Sequence, residues 1–171
     1  TMRTGGDDIA QAMALMGVRP VWATGSQRVD DFEILPLSLL DRRRVDVTLR
    51  VSGFFRDAFA NLIRLFDAAV QAVAALDEPD DLNPLAAKVR AEREALLQSG
   101  VDEDTARRQA GWRIFGAKPG AYGAGVQGAI DGRLWQSPED LAEVYLDWGA
   151  YAYGGADERT GLVHRRAYSR P

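Results

Sequence analysis

The stretch Val45–Ala75, VDVTLRVSGFFRDAFANLIRLFDAAVQAVAA, constrains the fold more than any other. It opens as an apolar run rich in β-branched residues, turns at Ser52-Gly53, and then places apolar or small residues at 55, 58, 59, 62, 63, 66, 69, 70 and 73. That spacing predicts a strand over 45–51 feeding a long helix over 54–76, with Phe55, Phe59, Leu62, Ile63, Phe66 and Val70 on its buried face. A strand, a tight turn and a helix start also expose backbone N–H groups that suit an anion.

The remaining elements follow from caps and breakers. Asp7-Asp8 is placed to cap a short helix with Ile9, Met13 and Met16 on one face and Gly17 as its stop. Val18–Trp22 reads as a strand, and a second strand resumes around Pro36, which must sit at an edge or end it. Arg42-Arg43-Arg44 reads as a solvated turn and Asp77–Asp81 as an acidic break. Asn83-Pro84 starts a surface helix to Gln98 with a thin stripe of Leu85, Val89 and Leu96, and with Lys88/Glu92 and Arg90/Glu94 spaced as ion pairs. Asp102 caps the next helix, whose modest buried face is expected to be Ala106, Ala110, Ile114 and Phe115. Ser137-Pro-Glu-Asp140 starts another, with Leu141, Val144, Tyr145 and Trp148 as its buried stripe. The expected fold is α/β: a small, mostly parallel sheet from 18–22, 33–39 and 45–51 packed by the helix 54–76, then a helical second half and a Gly-rich loop. Residues 1–154 are expected to form one segment, α/β to about 80 and helical over 81–154, followed by a loosely held tail over 155–171.

Composition removes several function classes. The 171 residues suffice for one domain with a core, and they include no cysteine. Disulfides, Cys-ligated zinc, iron–sulfur clusters and thiol nucleophiles are therefore excluded, and a cytoplasmic setting is expected. The net charge is −4 with both signs interspersed, which argues against a nucleic-acid partner. No apolar run approaches the roughly 20 residues of a membrane helix. The opening Thr1-Met2-Arg3-Thr4 reads as the start of a piece of a longer chain.

Gly123-Ala-Gly-Val-Gln-Gly128 matches G-x-G-x-x-G, with Asp147 at the spacing of a ribose-binding acid. The dinucleotide reading fails because Ala-Lys-Pro-Gly-Ala-Tyr, not a hydrophobic strand, precedes the glycines. No Gly-Lys-Ser/Thr follows, so a nucleotide-phosphate loop is also rejected. The glycine-dense stretch 115–128 remains either a close-packed turn or a flexible loop over a large ligand. His164, the sole histidine, has no neighbours with which to build a metal site or a Ser-His-Asp triad. Arg56-Asp57 reads as a helix-end ion pair; alternatively Arg50, Ser52 and Arg56 present donors to a carboxylated ligand at a strand's C-terminal end. Tyr122, between glycines, is the aromatic residue placed to be exposed and to pack on a flat ligand.

Longer motifs carry a resemblance. Arg3-Thr-Gly-Gly-Asp-Asp-Ile9, Leu15–Trp22, Glu33–Leu37, Val45–Phe59 with its Ser-Gly-Phe-Phe-Arg-Asp, Asn61-Leu-Ile63, Arg113–Gly116, Pro119-Gly-Ala-Tyr-Gly-Ala-Gly125, Asp140–Leu146 and Trp148–Gly154 run in order from residue 3 to 154. They resemble an internal segment of the cobaltochelatase/magnesium-chelatase large-subunit family, with wording at the glycine loop like its cobalt (CobN-type) branch. The tail from Gly155 does not look like the family's continuation. The resemblance implies ATP-dependent insertion of cobalt(II), the substrate metal, into hydrogenobyrinic acid a,c-diamide in cobalamin synthesis. It implies a corrinoid held by the large subunit, with ATP used by an AAA+ ATPase subunit and its companion and not bound here. Arg50, Ser52, Arg56, Lys118 and Tyr122 are then the candidate corrinoid-binding residues. No catalytic residue or metal ligand is identified, and the segment alone is not expected to insert metal. The rival readings are a non-catalytic module that docks a partner subunit through the long helix and the Asp77–Asp81 loop, and a magnesium-type large subunit.

Overall fold

The computed structural model describes residues 6–26, 28–154 and 164–165. In chain order its elements are α1 (Asp7–Met16), β1 (Val18–Trp22), β2 (Val29–Ile34), α2 (Leu37–Leu40), β3 (Leu49–Val51), α3 (Gly53–Ala58) and α4 (Ala60–Ala74). There follow α5 (Pro84–Gln98), α6 (Glu103–Ala110), β4 (Ile114–Gly116), α7 (Gln127–Asp131), α8 (Pro138–Trp148), β5 (Tyr151–Ala152) and β6 (His164–Arg165). The chain divides into two compact units, Thr1–Val47 with Arg64–Trp112 and Thr48–Ile63 with Arg113–Pro171.

In the first unit, α1 buries Ile9, Ala12, Met13 and Met16 and closes at Gly17, whose N–H bonds the Ala14 and Met13 carbonyls. Its N-cap is Gly6, and Asp7 and Asp8 lie in the first turn, where their charge favours the N-terminal dipole. The strands β1 and β2 pair antiparallel, Val18 opposite Ile34, and form a two-stranded sheet of their own. The expected parallel arrangement fails because the connection over 23–28 is shorter than the dozen or so residues a parallel crossover takes. The strand expected over 33–39 stops at Ile34, and Pro36 becomes the N-cap of α2.

Arg44, expected in a solvated turn, is 1% exposed. Its Nε and Nη2 donate to the Glu78 carboxylate at 2.7 and 2.8 Å, Nη1 to the Met16 and Gly17 carbonyls at 3.0 and 3.3 Å, and Nη2 to the Leu35 carbonyl at 2.9 Å. Every guanidinium N–H thus has a partner, which is the condition for burying a charge. Asn83 extends the cluster: its amide donates to Glu78 at 2.9 Å and to the Val73 carbonyl at 3.0 Å, while its oxygen caps α5 by accepting the Ala86 N–H. Asp102 caps α6 at Thr105. Phe66, Ala69, Val70 and Val73 of α4 are fully buried, as the spacing predicts. On the surface helix α5, Lys88 lies 3.9 Å from Asp46, and Arg90 pairs with Asp80.

In the second unit the sheet order is β3-β4-β5-β6. Only β3 and β4 are parallel; β4–β5 and β5–β6 are antiparallel. The sheet is therefore mixed, not mostly parallel; β4 and β5 come from the half expected to be helical, and β6 from the tail expected to be loosely held. Ile114 and Phe115, expected on a helix face, are strand residues because α6 ends at Ala110. The single helix expected over 54–76 is two, broken at Phe59 (φ −128°, ψ 38°). Ser137 and Asp140 form the expected capping box of α8, but its expected buried stripe is not buried: Leu141, Val144 and Trp148 are half-buried and Tyr145 is 41% exposed. Apart from the backbone of β6, the tail over 155–171 lies outside the described residues.

Candidate functional site

Because β3 and β4 run parallel and adjacent, Leu49 opposite Ile114 and Val51 opposite Gly116, both leave the sheet at the same end. From β3 the chain enters Ser52 and α3; from β4 it enters the glycine-dense loop that leads to α7. The carboxyl ends of parallel strands are where open α/β sheets gather ligands.

Ser52 is spent locally: its Oγ accepts the Phe55 N–H at 3.1 Å and caps α3. Arg56 is 7% exposed and faces the loop. Its Nη1 donates to the carbonyls of Ala117, Lys118 and Ala121 at 3.2, 2.8 and 3.3 Å, and its Nε and Nη2 fork onto Asp57 at 2.7 and 2.9 Å. The loop is therefore clamped at its first turn, where Ala121 N–H also bonds the Lys118 carbonyl at 3.0 Å. The Tyr153 hydroxyl donates to the same Ala117 carbonyl, and burial pushes that phenol's pKa up.

Tyr122 returns the contact. Its hydroxyl donates to Asp57 Oδ2 at 2.6 Å, while 59% of the residue stays exposed. The Arg56 guanidinium carbon stands 5.6 Å from the ring centroid. Gly53 admits the ring by lacking a Cβ, which would stand 2.4 Å from the Ala121 carbonyl oxygen and 2.9 Å from Tyr122 Cδ1. The hydrogen bonds from Arg56 and then Tyr122 hold the Asp57 carboxyl down at about 2, and the Asp57 carboxylate pushes the Tyr122 phenol up.

Arg50 lies beside a different aromatic: its guanidinium carbon is 4.2 Å from the Tyr145 ring centroid and its Nη2 donates to the Tyr145 carbonyl at 3.3 Å. Farther along the loop, Gly125 (φ +80°) packs on Trp148, where a Cβ would lie 2.4 Å from the indole Cγ. The side chain of Lys118 is exposed.

Ser52, Arg56, Lys118 and Tyr122 thus meet around one turn, whereas Arg50 is engaged by Tyr145. The Arg56–Asp57 ion pair, one of the two sequence readings, is present; sequence reasoning missed the bond of Asp57 to Tyr122 and the part played by Tyr145. Asp57 and Tyr122 are 65 positions apart, and nothing in their local patterns links them. Among the described residues no group of three or more His, Asp or Glu is placed to hold a metal ion. None of the described helices is long and apolar enough to cross a membrane.

The comparisons with known proteins agree with this architecture. Residues 1–170 match the model of the CobN/magnesium chelatase family. Over 167 residues, 98% of this chain and 13% of the relative, the sequence is 79% identical to the aerobic cobaltochelatase subunit CobN of Pseudomonas aeruginosa. It is 35% identical over 165 residues to the chloroplastic magnesium-chelatase subunit ChlH of Oryza sativa subsp. japonica, covering 96% of this chain and 11% of that one. Among solved structures, the catalytic subunit of cobaltochelatase from Mycobacterium tuberculosis matches with a TM-score of 0.76 and 49% identity, over 86% of this chain and 12% of that chain. The chain thus spans only 11% to 13% of the length of these relatives. A matching family model over nearly the whole sequence, relatives on both the cobalt and magnesium sides, and a shared fold place this chain in the CobN/magnesium chelatase family.

Proposed function

We propose that this chain is a segment of the corrinoid-holding large subunit of an aerobic cobaltochelatase, and that its glycine loop lines the corrinoid site. The observation that carries the reading is the clamped turn at the shared carboxyl end of β3 and β4. There Arg56 fixes the 117–121 backbone while Tyr122 and Lys118 remain exposed beside it. A flat macrocycle ringed by carboxylates and amides needs a stacking surface and fixed donors. Tyr122 supplies the first; Lys118 and the stacked Arg50 supply charge. Ser52 and Arg56 contribute by building the turn, since their polar atoms are engaged within the protein.

In this reading the corrinoid is hydrogenobyrinic acid a,c-diamide and the inserted metal is cobalt(II). ATP is hydrolysed by an AAA+ ATPase subunit that works with a companion subunit, and the complex is cytoplasmic. The 79% identity to the cobalt-branch subunit, against 35% to the magnesium-branch one, favours the cobalt side. Loss of the pyrrole protons and capture of the metal are assigned to parts of the subunit outside this segment.

The test is a titration of hydrogenobyrinic acid a,c-diamide into the chain, followed by tryptophan fluorescence with NADH as the control. The expected result is saturable quenching by the corrinoid and none by NADH. Absence of quenching, under conditions where the full-length Pseudomonas relative binds the corrinoid, overturns the reading.

A further inference from the structure

We infer that Asp57 is a positioning residue that holds the Tyr122 ring as a one-sided stacking platform for a planar ligand. Its functional part rests on the reading of Tyr122 as a corrinoid contact.

The loop backbone alone does not fix this ring. Tyr122 stands between Gly120 (φ +77°) and Gly123 (φ +78°), and a Cβ at either glycine would meet nothing within 4 Å. Yet the ring is held at its end by the 2.6 Å hydrogen bond to Asp57 and along its edge by the bare backbone of Gly53. Asp57 is in turn held by the two-point fork from Arg56, and Arg56 by the loop's own carbonyls. The restraint closes on itself: loop to Arg56, Arg56 to Asp57, Asp57 to Tyr122, and back to the loop. With its hydroxyl tied down, a half-exposed ring presents a face at little further entropic cost on binding.

Helix stability does not account for an acid at this place. Asp57 lies in the last turn of α3, where a carboxylate opposes the helix dipole. Its side chain is 47% exposed; its inner side satisfies two N–H groups of the buried Arg56, and its outer side is left to a partner from the loop. Its distinctive partner is the Tyr122 hydroxyl.

A double-mutant cycle tests this. Asp57→Asn and Tyr122→Phe are measured singly and together for corrinoid affinity by tryptophan quenching, and without ligand by tyrosinate absorbance against pH. The expected result is roughly three- to tenfold weaker corrinoid binding in each single variant, as for one lost hydrogen bond, with no further loss in the double variant. In the ligand-free titration, one late tyrosine transition moves to lower pH in Asp57→Asn and vanishes in Tyr122→Phe. Equal losses from Asp57→Asn in both backgrounds, or an unmoved tyrosine transition, overturn the assignment. If the unmodified chain binds no corrinoid, the functional reading fails, and the tyrosine transition alone decides whether Asp57 holds Tyr122.

Discussion

Arg44 and Glu78 meet through two hydrogen bonds, Nε to Oε2 at 2.7 Å and Nη2 to Oε1 at 2.8 Å, with Arg44 almost wholly buried. The same guanidinium ties together the end of α1 and the end of β2, so the pair organises the first unit around one charge. Removing one partner strands the other without compensation. Glu78→Gln is expected to cost about 3 kcal/mol in urea denaturation, whereas Arg90→Ala, which breaks an exposed pair with Asp80, is expected to cost under about 1 kcal/mol.

The same pair sets an acid dependence. Hydrogen bonds from Arg44, its charge and the Asn83 amide hold the Glu78 carboxyl below its ordinary value of 4.5. A carboxylate with a lowered folded-state pKa contributes stability that is fully present above the unfolded value and is lost as pH falls through the folded one. The stability gap between the unmodified chain and Glu78→Gln is therefore expected to be constant above about pH 5 and to narrow steadily below it. A gap that widens on acidification contradicts the placement of Glu78.

Two glycines of the loop separate backbone strain from packing. Gly123 and Gly125 have φ of +78° and +80°, but only at Gly125 would a Cβ strike the Trp148 indole. Gly123→Ala is expected to cost about 1 kcal/mol, the left-handed penalty alone. Gly125→Ala is expected to cost more and also to shift the tryptophan emission; equal costs with unchanged emission contradict the packing of Gly125 on Trp148.

Phe66 and Phe54 make a third contrast. Phe66 is 0% exposed and Phe54 is 53% exposed. Phe66→Ala is expected to cost about 3–5 kcal/mol and Phe54→Ala within about 0.5 kcal/mol, both read from denaturation midpoints.

These contrasts mark what the sequence made legible. Helical spacing found Met13, Met16, Phe66 and Val70 in the core, and cap chemistry found Asn83, Asp102 and Ser137, because both signals are local. The misses are non-local. Arg44 looked solvated because its partner lies 34 positions away. Ile114 looked helical because its strand partner Leu49 is distant in sequence. The break at Phe59 interrupts an apolar spacing that continues through it, so periodicity alone ran α3 and α4 together. At the site, Tyr122 was correctly expected at the surface from its flanking glycines, but its bond to Asp57 had no local signature. Arg56 could be seen as a donor; that its targets are loop carbonyls could not.

In the proposed function the loop between β4 and α7 meets the corrinoid through Tyr122. Comparing corrinoid affinity of Tyr122→Ala with that of the unmodified chain, by tryptophan quenching, tests it most directly. Binding is expected to weaken by roughly threefold to tenfold or more, the worth of one stacked aromatic, while stability falls by no more than about the 1 kcal/mol of one lost hydrogen bond. Equal affinity in the two proteins contradicts it.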